Sequence, residues 1–357
     1  MYVLKPETAT PETELEDRIS RLKEQLGDSL VILGHHYQRD EVIQFADFRG
    51  DSLKLAQEAI RTDAQYIVFC GVHFMAETAA ILAHPDQTVL IPDPAAGCFL
   101  ADTASLESVE AAWAHLSAVL EVEAEFTPVT YVNSLAALKA FCGHRGGIIC
   151  TSSNAARVLE WALAQRPRVF FFPDQHLGRN TALRMGIAPE KMLLWDPRHP
   201  PDATAIRRAR VILWPGCCNV HHRFRPEHVH AVREQHPGIR VIVHPECTQA
   251  VVDLADDAGS TAHIVRQVEE APSGTKWAIG TEHHLVHRLA EEHPDQFIIS
   301  LADVPPLCRT MNMITQRNLA QALEGLVQGR VIHPVIVEPE TAHWARMALH
   351  RMLELPR

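Results

Sequence analysis

The stretch TVLIPDPAAGC, from Thr88 to Cys98, shows the pattern on which the whole chain is built. Its β-branched apolar run predicts a buried strand, and the prolines and glycine that follow predict a loop ending at the cysteine. The pattern returns in RVILWPGCC, which ends at Cys218, and in QFIISLADVPPLC, which ends at Cys308. A helical pattern follows each cysteine. The sequence therefore predicts three equivalent cysteines, each placed after the last strand of a repeated segment.

Three equivalent cysteines without a fourth indicate a particular kind of metal centre. Three thiolates that hold a [4Fe-4S] cluster leave one iron open, whereas clusters that only carry electrons are commonly held by four cysteines. We therefore interpret Cys98, Cys218 and Cys308 as cluster ligands. Backbone amides at a helix N-terminus carry partial positive charge, so we expect each of these thiols to have a lowered pKa.

Composition and charge exclude several classes of function. The chain has 357 residues, 46% of them apolar, which is enough for two or three ordinary cores. It carries 44 acidic and 33 basic residues, a net charge of -11, and has no basic stretch interleaved with aromatics. Nucleic acid is therefore not an expected partner. An anionic substrate would depend on local features such as helix N-termini, histidines or Arg309.

The ends and the cysteine content predict a cytoplasmic protein. The acidic, proline-interrupted start MYVLKPETATPETELEDR resembles neither a secretory signal nor a transit peptide. No apolar run approaches the roughly 18 residues of a membrane span, so no membrane association is expected. Eight irregularly spaced cysteines predict reduced thiols. Four of them are expected to be buried as small apolar residues: Cys70, Cys142, Cys150 and Cys247.

Strand-like runs alternate with helical patterns along the chain, which predicts an α/β protein with mostly parallel sheets. The repeated segments divide it into predicted domains at residues 1–124, 125–222 and 223–310, each donating one of the three cysteines. The first domain includes an N-terminal helix. Residues 311–357 are predicted to form a mostly helical segment that packs on the domains.

Polar residues recur at two further places in each segment. Residues two apart in a strand point to the same side, and ligands of open α/β sheets bind at the carboxyl edge. Polar pairs of this kind end the first strand of each segment: His35 and Tyr37, Tyr131 and Asn133, His244 and Glu246. Hydroxyl residues also stand at helix starts, which are both caps and anion sites. They are Ser52, Ser152, Ser260 and Thr261.

These motifs together resemble those of the quinolinate synthase family, from Gly34 to Met311. The resemblance rests on long and unusual stretches. Among them are GHHYQRDEVIQFADFRGDS from Gly34, FCGVHFMAETA from Phe69, CTSSNA from Cys150, GCCNVHHRF from Gly216, HPEC from His244 and CRTM from Cys308.

The resemblance implies an enzyme that makes quinolinate from iminoaspartate and dihydroxyacetone phosphate in de novo NAD biosynthesis, with an aspartate oxidase as the source of iminoaspartate. It implies three pseudo-threefold-related α/β/α domains with small sheets and a [4Fe-4S] cluster at their common axis, held by Cys98, Cys218 and Cys308. The implied substrate-binding residues are His35, Tyr37, Ser52, Tyr131, Asn133, Ser152, His221, His244, Glu246, Ser260 and Thr261.

The chemistry of such a reaction assigns roles to some of these residues. Forming a pyridine ring requires loss of phosphate, a new carbon–carbon bond, isomerisation, ring closure and loss of two waters. An open iron can polarise a hydroxyl or carbonyl oxygen, and nearby acids and bases can move protons. The predicted catalytic residues are Glu246, Tyr37, His221 and His244.

Two alternatives remain at the level of the sequence. Cys218-x-x-His221 together with His244-x-x-Cys247 supplies the ligands of a structural zinc site in a zinc-binding α/β protein. That interpretation leaves Cys98 and Cys308 without a role and requires Cys247 to turn toward His244. A non-enzymatic electron carrier would need a fourth cysteine ligand. The adjacent Cys217 departs from the family pattern, and the spacing selects Cys218 as the ligand.

Overall fold

Three separate parallel β-sheets organise the structure, a computed structural model that describes residues 12–355. The first sheet contains β1 (Leu30–His35), β2 (Phe48–Gly50), β3 (Tyr66–Cys70) and β4 (Thr88–Leu90). The second contains β5 (Phe126–Tyr131), β6 (Ile148–Cys150), β7 (Arg168–Phe172), β8 (Met192–Leu194) and β9 (Val211–Leu213). The third contains β10 (Arg240–Val243), β11 (Asp257–Ala258), β12 (Lys276–Gly280) and β13 (Phe297–Ser300).

The three sheets share one strand order. It runs β2-β1-β3-β4 in the first sheet, β11-β10-β12-β13 in the third and β6-β5-β7-β9-β8 in the second, where β8 is an extra edge strand. All pairings are parallel. The strands β1 and β5 are buried along their whole length, as expected for apolar strands covered on both faces. The predicted α/β class is confirmed.

Helices connect the strands throughout. The first segment contains α1 (Glu12–Leu26), α2 (Asp40–Ile43), α3 (Ser52–Arg61), α4 (His73–Leu82), α5 (Phe99–Asp102), α6 (Leu106–Ser117) and α7 (Val122–Glu125). The second contains α8 (Ala136–His144), α9 (Ala155–Gln165), α10 (Gln175–Arg184) and α11 (Ala203–Arg208). The rest are α12 (Pro226–Gln235), α13 (Gln249–Val252), α14 (Thr261–Glu269), α15 (His283–Glu292), α16 (Gln316–Val327) and α17 (Pro339–Glu354). No helix within residues 12–355 is long and apolar enough to cross a membrane.

The C-terminal segment ties the first two sheets together. Helix α16 packs on α1, and α17 packs on α8. Between them the apolar run VIHPVIVEP lies beside β4, where the Val335 N–H donates to the carbonyl of Val89 over 2.8 Å. One continuous core includes both sheets and these helices, whereas the two faces of the third sheet have smaller cores of their own. The exact domain limits stay predictions.

Candidate active site

The three predicted ligand cysteines have matching backbone surroundings after β4, β9 and β13. In each domain the first residue of a helix donates its N–H to the carbonyl two residues before the cysteine. These bonds run from His73 to Ala96 (2.8 Å), Gln175 to Gly216 (2.9 Å) and His283 to Pro306 (3.0 Å). The carbonyls of Cys98, Cys218 and Cys308 then accept the N–H four residues later, over 3.1, 3.0 and 3.1 Å. This match identifies Cys218, not Cys217, as the equivalent position.

Buried carboxylates hold two of these cysteine loops, and the sequence interpretation missed them. Asp174 accepts the backbone N–H of Cys218 over 3.2 Å and also caps α10. Glu282 accepts the N–H of Cys308 over 3.2 Å and also caps α15. Both side chains are completely buried. An acid between a strand and a helical pattern is the signal that could have identified them, since such an acid is a helix cap.

A close backbone approach fixes the loop of Cys218 against the first domain. Any Cβ on Gly216 would lie 2.2 Å from the Thr103 hydroxyl and 2.4 Å from the carbonyl of Pro173, so only glycine fits there. The indole N–H of Trp214 donates to the carbonyl of Thr103 over 2.8 Å. The Cys218 loop is thereby anchored next to the turn that begins at Cys98.

One cavity brings the three cysteines and most of the predicted polar residues together. Besides Cys98, Cys218 and Cys308, the predicted residues that line it are His35, Tyr37, Ser52, Tyr131, Asn133, Ser152, His221, His244, Glu246 and Thr261. Ser260 lies outside this lining, and its hydroxyl caps α14. Asp51 lines the cavity although the sequence interpretation gave it no role; it caps α3 and accepts the Ser153 hydroxyl over 2.7 Å.

The cavity has the features of an anion-binding site that uses helix N-termini and not Lys or Arg side chains. Among the described lining residues there is no Lys or Arg, and the exposed Arg309 is not one of them. Ser52 and Thr261 are the first residues of α3 and α14, and Ser152 lies just before α9. The N-termini of α3 and α14 therefore meet the cavity, and the turn that leads into α9 borders it; helix N-terminal amides favour negative charge.

A chain of polar contacts crosses the cavity wall from Glu246 to Tyr37. One carboxylate oxygen of Glu246, Oε2, lies 2.7 Å from Nδ1 of His221 and 3.1 Å from Nδ1 of His244. The other side of the His221 ring, Nε2, lies 3.0 Å from the Thr281 hydroxyl, which in turn lies 2.8 Å from the Tyr37 hydroxyl. Tyr37 also contacts the Thr261 hydroxyl over 3.0 Å. The sequence interpretation missed Thr281, which joins the phenol to the imidazole.

The pKa shifts assign a protonation state to Glu246 and Tyr37, the two ends of this row of polar contacts. Burial would raise the pKa of Glu246, but its close contacts with the rings of His221 and His244 outweigh burial and hold that pKa well below its usual range. Burial raises the pKa of Tyr37 well above its usual value, against the hydrogen bonds of Thr261 and Thr281. Burial lowers the pKa of His244. At neutral pH Glu246 is a carboxylate, whereas Tyr37 keeps its proton.

The pKa values of the three thiols shift in the direction opposite to the one predicted from the sequence. Burial raises the pKa of Cys98 to about 12, although the backbone amides of Ala101 and Leu100 act in the opposite direction. Burial also raises the pKa values of Cys218 and Cys308. The predicted lowering is wrong, because the loss of solvation outweighs the amides of one short turn. A metal would have to displace the thiol protons, which is the usual coupling of metal binding to deprotonation.

The donor set fits a metal centre in this cavity. Backbone amides in the turn that follows each of the three cysteines lower the pKa of its thiol, against the larger effect of burial, and Cys98 lies close enough to Cys308 for their charges to interact. Ligand atoms of Cys218, His221 and Glu246 lie within 4.8 Å of one another. By contrast, Cys247 is buried in the core of the third domain with its sulfur 3.7 Å from the carbonyl of Gly280. The predicted burial of Cys70, Cys142, Cys150 and Cys247 is confirmed.

A three-domain α/β scaffold whose buried polar cavity contains three cysteines and acid–base side chains has the architecture of an enzyme and the donor set of a metal centre. A family model described as "Quinolinate synthetase A protein" matches residues 17–354. A quinolinate synthase of Rhodopirellula baltica is 52% identical over 99% of this chain and 94% of its own length. Those of Acidobacterium capsulatum (52%; 97% and 94%) and Halalkalibacterium halodurans (53%; 96% and 93%) are as similar. The chain belongs to the quinolinate synthase family.

Proposed function

We propose that this chain condenses iminoaspartate with dihydroxyacetone phosphate to give quinolinate, phosphate and two waters, with a [4Fe-4S] cluster bound by Cys98, Cys218 and Cys308. Family membership supports the reaction. The observation that carries the cluster assignment is the matching pair of backbone hydrogen bonds around each cysteine, together with their convergence on one cavity. Residues 1–124, 125–222 and 223–310 would each contribute one ligand, and residues 311–357 would pack against them.

The cluster would supply Lewis-acid chemistry at its open iron when bound. The chain itself holds the substrates. The N-termini of α3, α9 and α14 bind the carboxylates and phosphate, with Ser52, Ser152 and Thr261 as hydroxyl donors. Ser260 contributes through the position of α14, whose first turn it caps. His35, Tyr131 and Asn133 line the remaining wall.

Proton transfers would use the contacts between Glu246 and Tyr37. The ionised carboxylate of Glu246 accepts a proton, and its second oxygen, Oε1, is buried without a hydrogen-bond partner among the described residues. That oxygen is therefore free to meet a substrate atom. Tyr37 donates the proton that burial makes it retain, and His221 and His244 orient the carboxylate.

The proposed supply of substrate follows from its chemistry. Iminoaspartate is the two-electron oxidation product of aspartate, so an aspartate oxidase would provide it. Free thiols in a reduced environment agree with a cytoplasmic location, and none of the eight cysteines forms a disulfide.

Single cysteine replacements test the proposal. Cys98→Ala, Cys218→Ala and Cys308→Ala should each lose the stable cluster and the formation of quinolinate. Cys142→Ala and Cys247→Ala are matched controls, because both thiols are buried outside the cavity lining. We expect these controls to keep iron and sulfide near the wild-type content. An intact cluster in the Cys308 variant would refute the threefold assignment.

A further inference from the structure

Cys217 lies beside two histidines on the outer side of the Cys218 loop. It is half-buried and does not line the cavity that contains Cys218. One ligand atom each of His176, Cys217 and His222 lie within 4.8 Å of one another. The two imidazole rings stack at a 20° angle, and Nε2 of His176 lies 3.1 Å from Nδ1 of His222. This cluster has no part in the function proposed above.

We propose that His176, Cys217 and His222 form a second metal site that binds one Zn²⁺. Two imidazoles and a thiolate are ligands that suit Zn²⁺, whereas Mg²⁺ and Ca²⁺ require oxygen ligands. Zn–N bonds of about 2.0–2.1 Å in a tetrahedron place two nitrogens about 3.3 Å apart. The 3.1 Å between the two histidines is close to this spacing. His222 is exposed, so water can complete the coordination.

The scaffold holds these ligands in place without the metal. His176 is the second residue of α10, whose cap Asp174 also binds the N–H of Cys218. Gln175 fixes the same loop twice, through its N–H to the carbonyl of Gly216 (2.9 Å) and its side chain to the carbonyl of Pro215 (2.9 Å). The helix that carries His176 and the loop that carries Cys217 therefore form one rigid unit.

His176 is nearly buried. Its side chain is only 8% exposed, so a metal bound at its Nε2 is shielded from solvent on that side. The site also gives the adjacent cysteines separate roles, with Cys217 at the zinc and Cys218 at the cavity.

Zinc binding to the iron-loaded, anaerobically purified enzyme tests the inference. A competition titration with a chromophoric chelator should show one tight Zn²⁺ per chain with no loss of iron. Zinc K-edge X-ray absorption should show one sulfur at about 2.3 Å and two nitrogens at about 2.0–2.1 Å. Cys217→Ser, His176→Asn and His222→Ala should each weaken binding by about a hundredfold, since each removes one ligand.

His230→Ala is the matched control, because His230 is an exposed histidine on the nearby helix α12. It should bind zinc like the wild type. Iron content, measured on every variant, shows whether the Cys218 loop still folds. The inference is overturned if Cys217→Ser and His222→Ala bind zinc as tightly as the wild type, if the spectrum has no sulfur, or if zinc enters only as iron leaves.

Discussion

Replacing Glu246 by Gln removes one negative charge from the cavity and keeps the size of the side chain. Glu246 is 2% exposed, and its Oε2 lies 2.7 Å from His221 and 3.1 Å from His244. The amide can keep both contacts, but it cannot act as a carboxylate that accepts a proton. We therefore expect the variant to fold and to keep its iron while it loses turnover.

The expected effects on rate and on stability differ in size. A positioned general acid or base contributes about 10²- to 10⁴-fold in rate, which corresponds to roughly 3–5 kcal/mol of the barrier. Hydrogen bonds to a charged group contribute about 1.5–3 kcal/mol, against about 0.5–1.5 kcal/mol for neutral partners. On this scale, replacing the charge at the two contacts of Glu246 by a neutral amide lowers the free energy of unfolding by about 2–3 kcal/mol. The expected loss of rate, roughly 3–5 kcal/mol in the barrier, is therefore larger than the expected loss of stability.

Single-turnover quinolinate formation under anaerobic conditions, expressed per iron, measures the rate effect. Urea unfolding of the same samples measures the stability effect. Glu282→Gln is an informative comparison, because Glu282 binds the N–H of Cys308 and does not line the cavity. It should lower iron retention and leave the rate per iron nearly unchanged. A rate per iron for Glu246→Gln within a few-fold of the wild type would remove Glu246 from the mechanism.

Three further predictions follow from the site. Tyr37→Phe removes the hydroxyl shared by Thr261 and Thr281; we expect turnover to fall at least about 10²-fold with iron content unchanged, and full turnover would exclude Tyr37 as the proton donor. Air should bleach the visible absorption and abolish activity together, and anaerobic iron with sulfide should restore both; activity that survives loss of iron would contradict the Lewis-acid role. Burial lowers the pKa of His36 to about 4, so between about pH 6.5 and 4 only the unfolded chain binds this proton and stability must fall as the pH falls. In the His36→Gln variant, the urea midpoint of unfolding should change less steeply with pH over this range. An unchanged slope would show that His36 does not cause the loss of stability.

The sequence predicted the repeated elements because they are local. Most of the longer strands contain an apolar run, and each of the three cysteines follows such a run after a proline or glycine. The edge strands β2 and β11 have three and two residues, too few for a periodic pattern to indicate them. Their existence depends on pairing with β1 and β10.

Residues that act across the fold were not predictable in the same way. Asp174 and Glu282 show in the sequence only as helix caps, and their bonds to the cysteine loops span 44 and 26 residues. Thr281 meets Tyr37 across 244 residues. The pKa of Cys98 depended on burial, which outweighs the local helix amides. Local pattern therefore predicted which cysteines share the cavity, and tertiary packing determined their environment.

The repeated scaffold still gives a site with one carboxylate among the three polar pairs, because equivalent positions hold different residues. The pairs after the first strands are His35 with Tyr37, Tyr131 with Asn133, and His244 with Glu246, so only the third domain contributes a carboxylate there. Three carboxylates around one buried cavity would repel each other and raise their pKa values. A single carboxylate flanked by two imidazoles stays ionised, while the helix N-termini of all three domains remain free to bind anionic substrate groups. Symmetry thus supplies the helix N-termini and the three thiols, and its local breakdown supplies the one carboxylate that we propose for proton transfer.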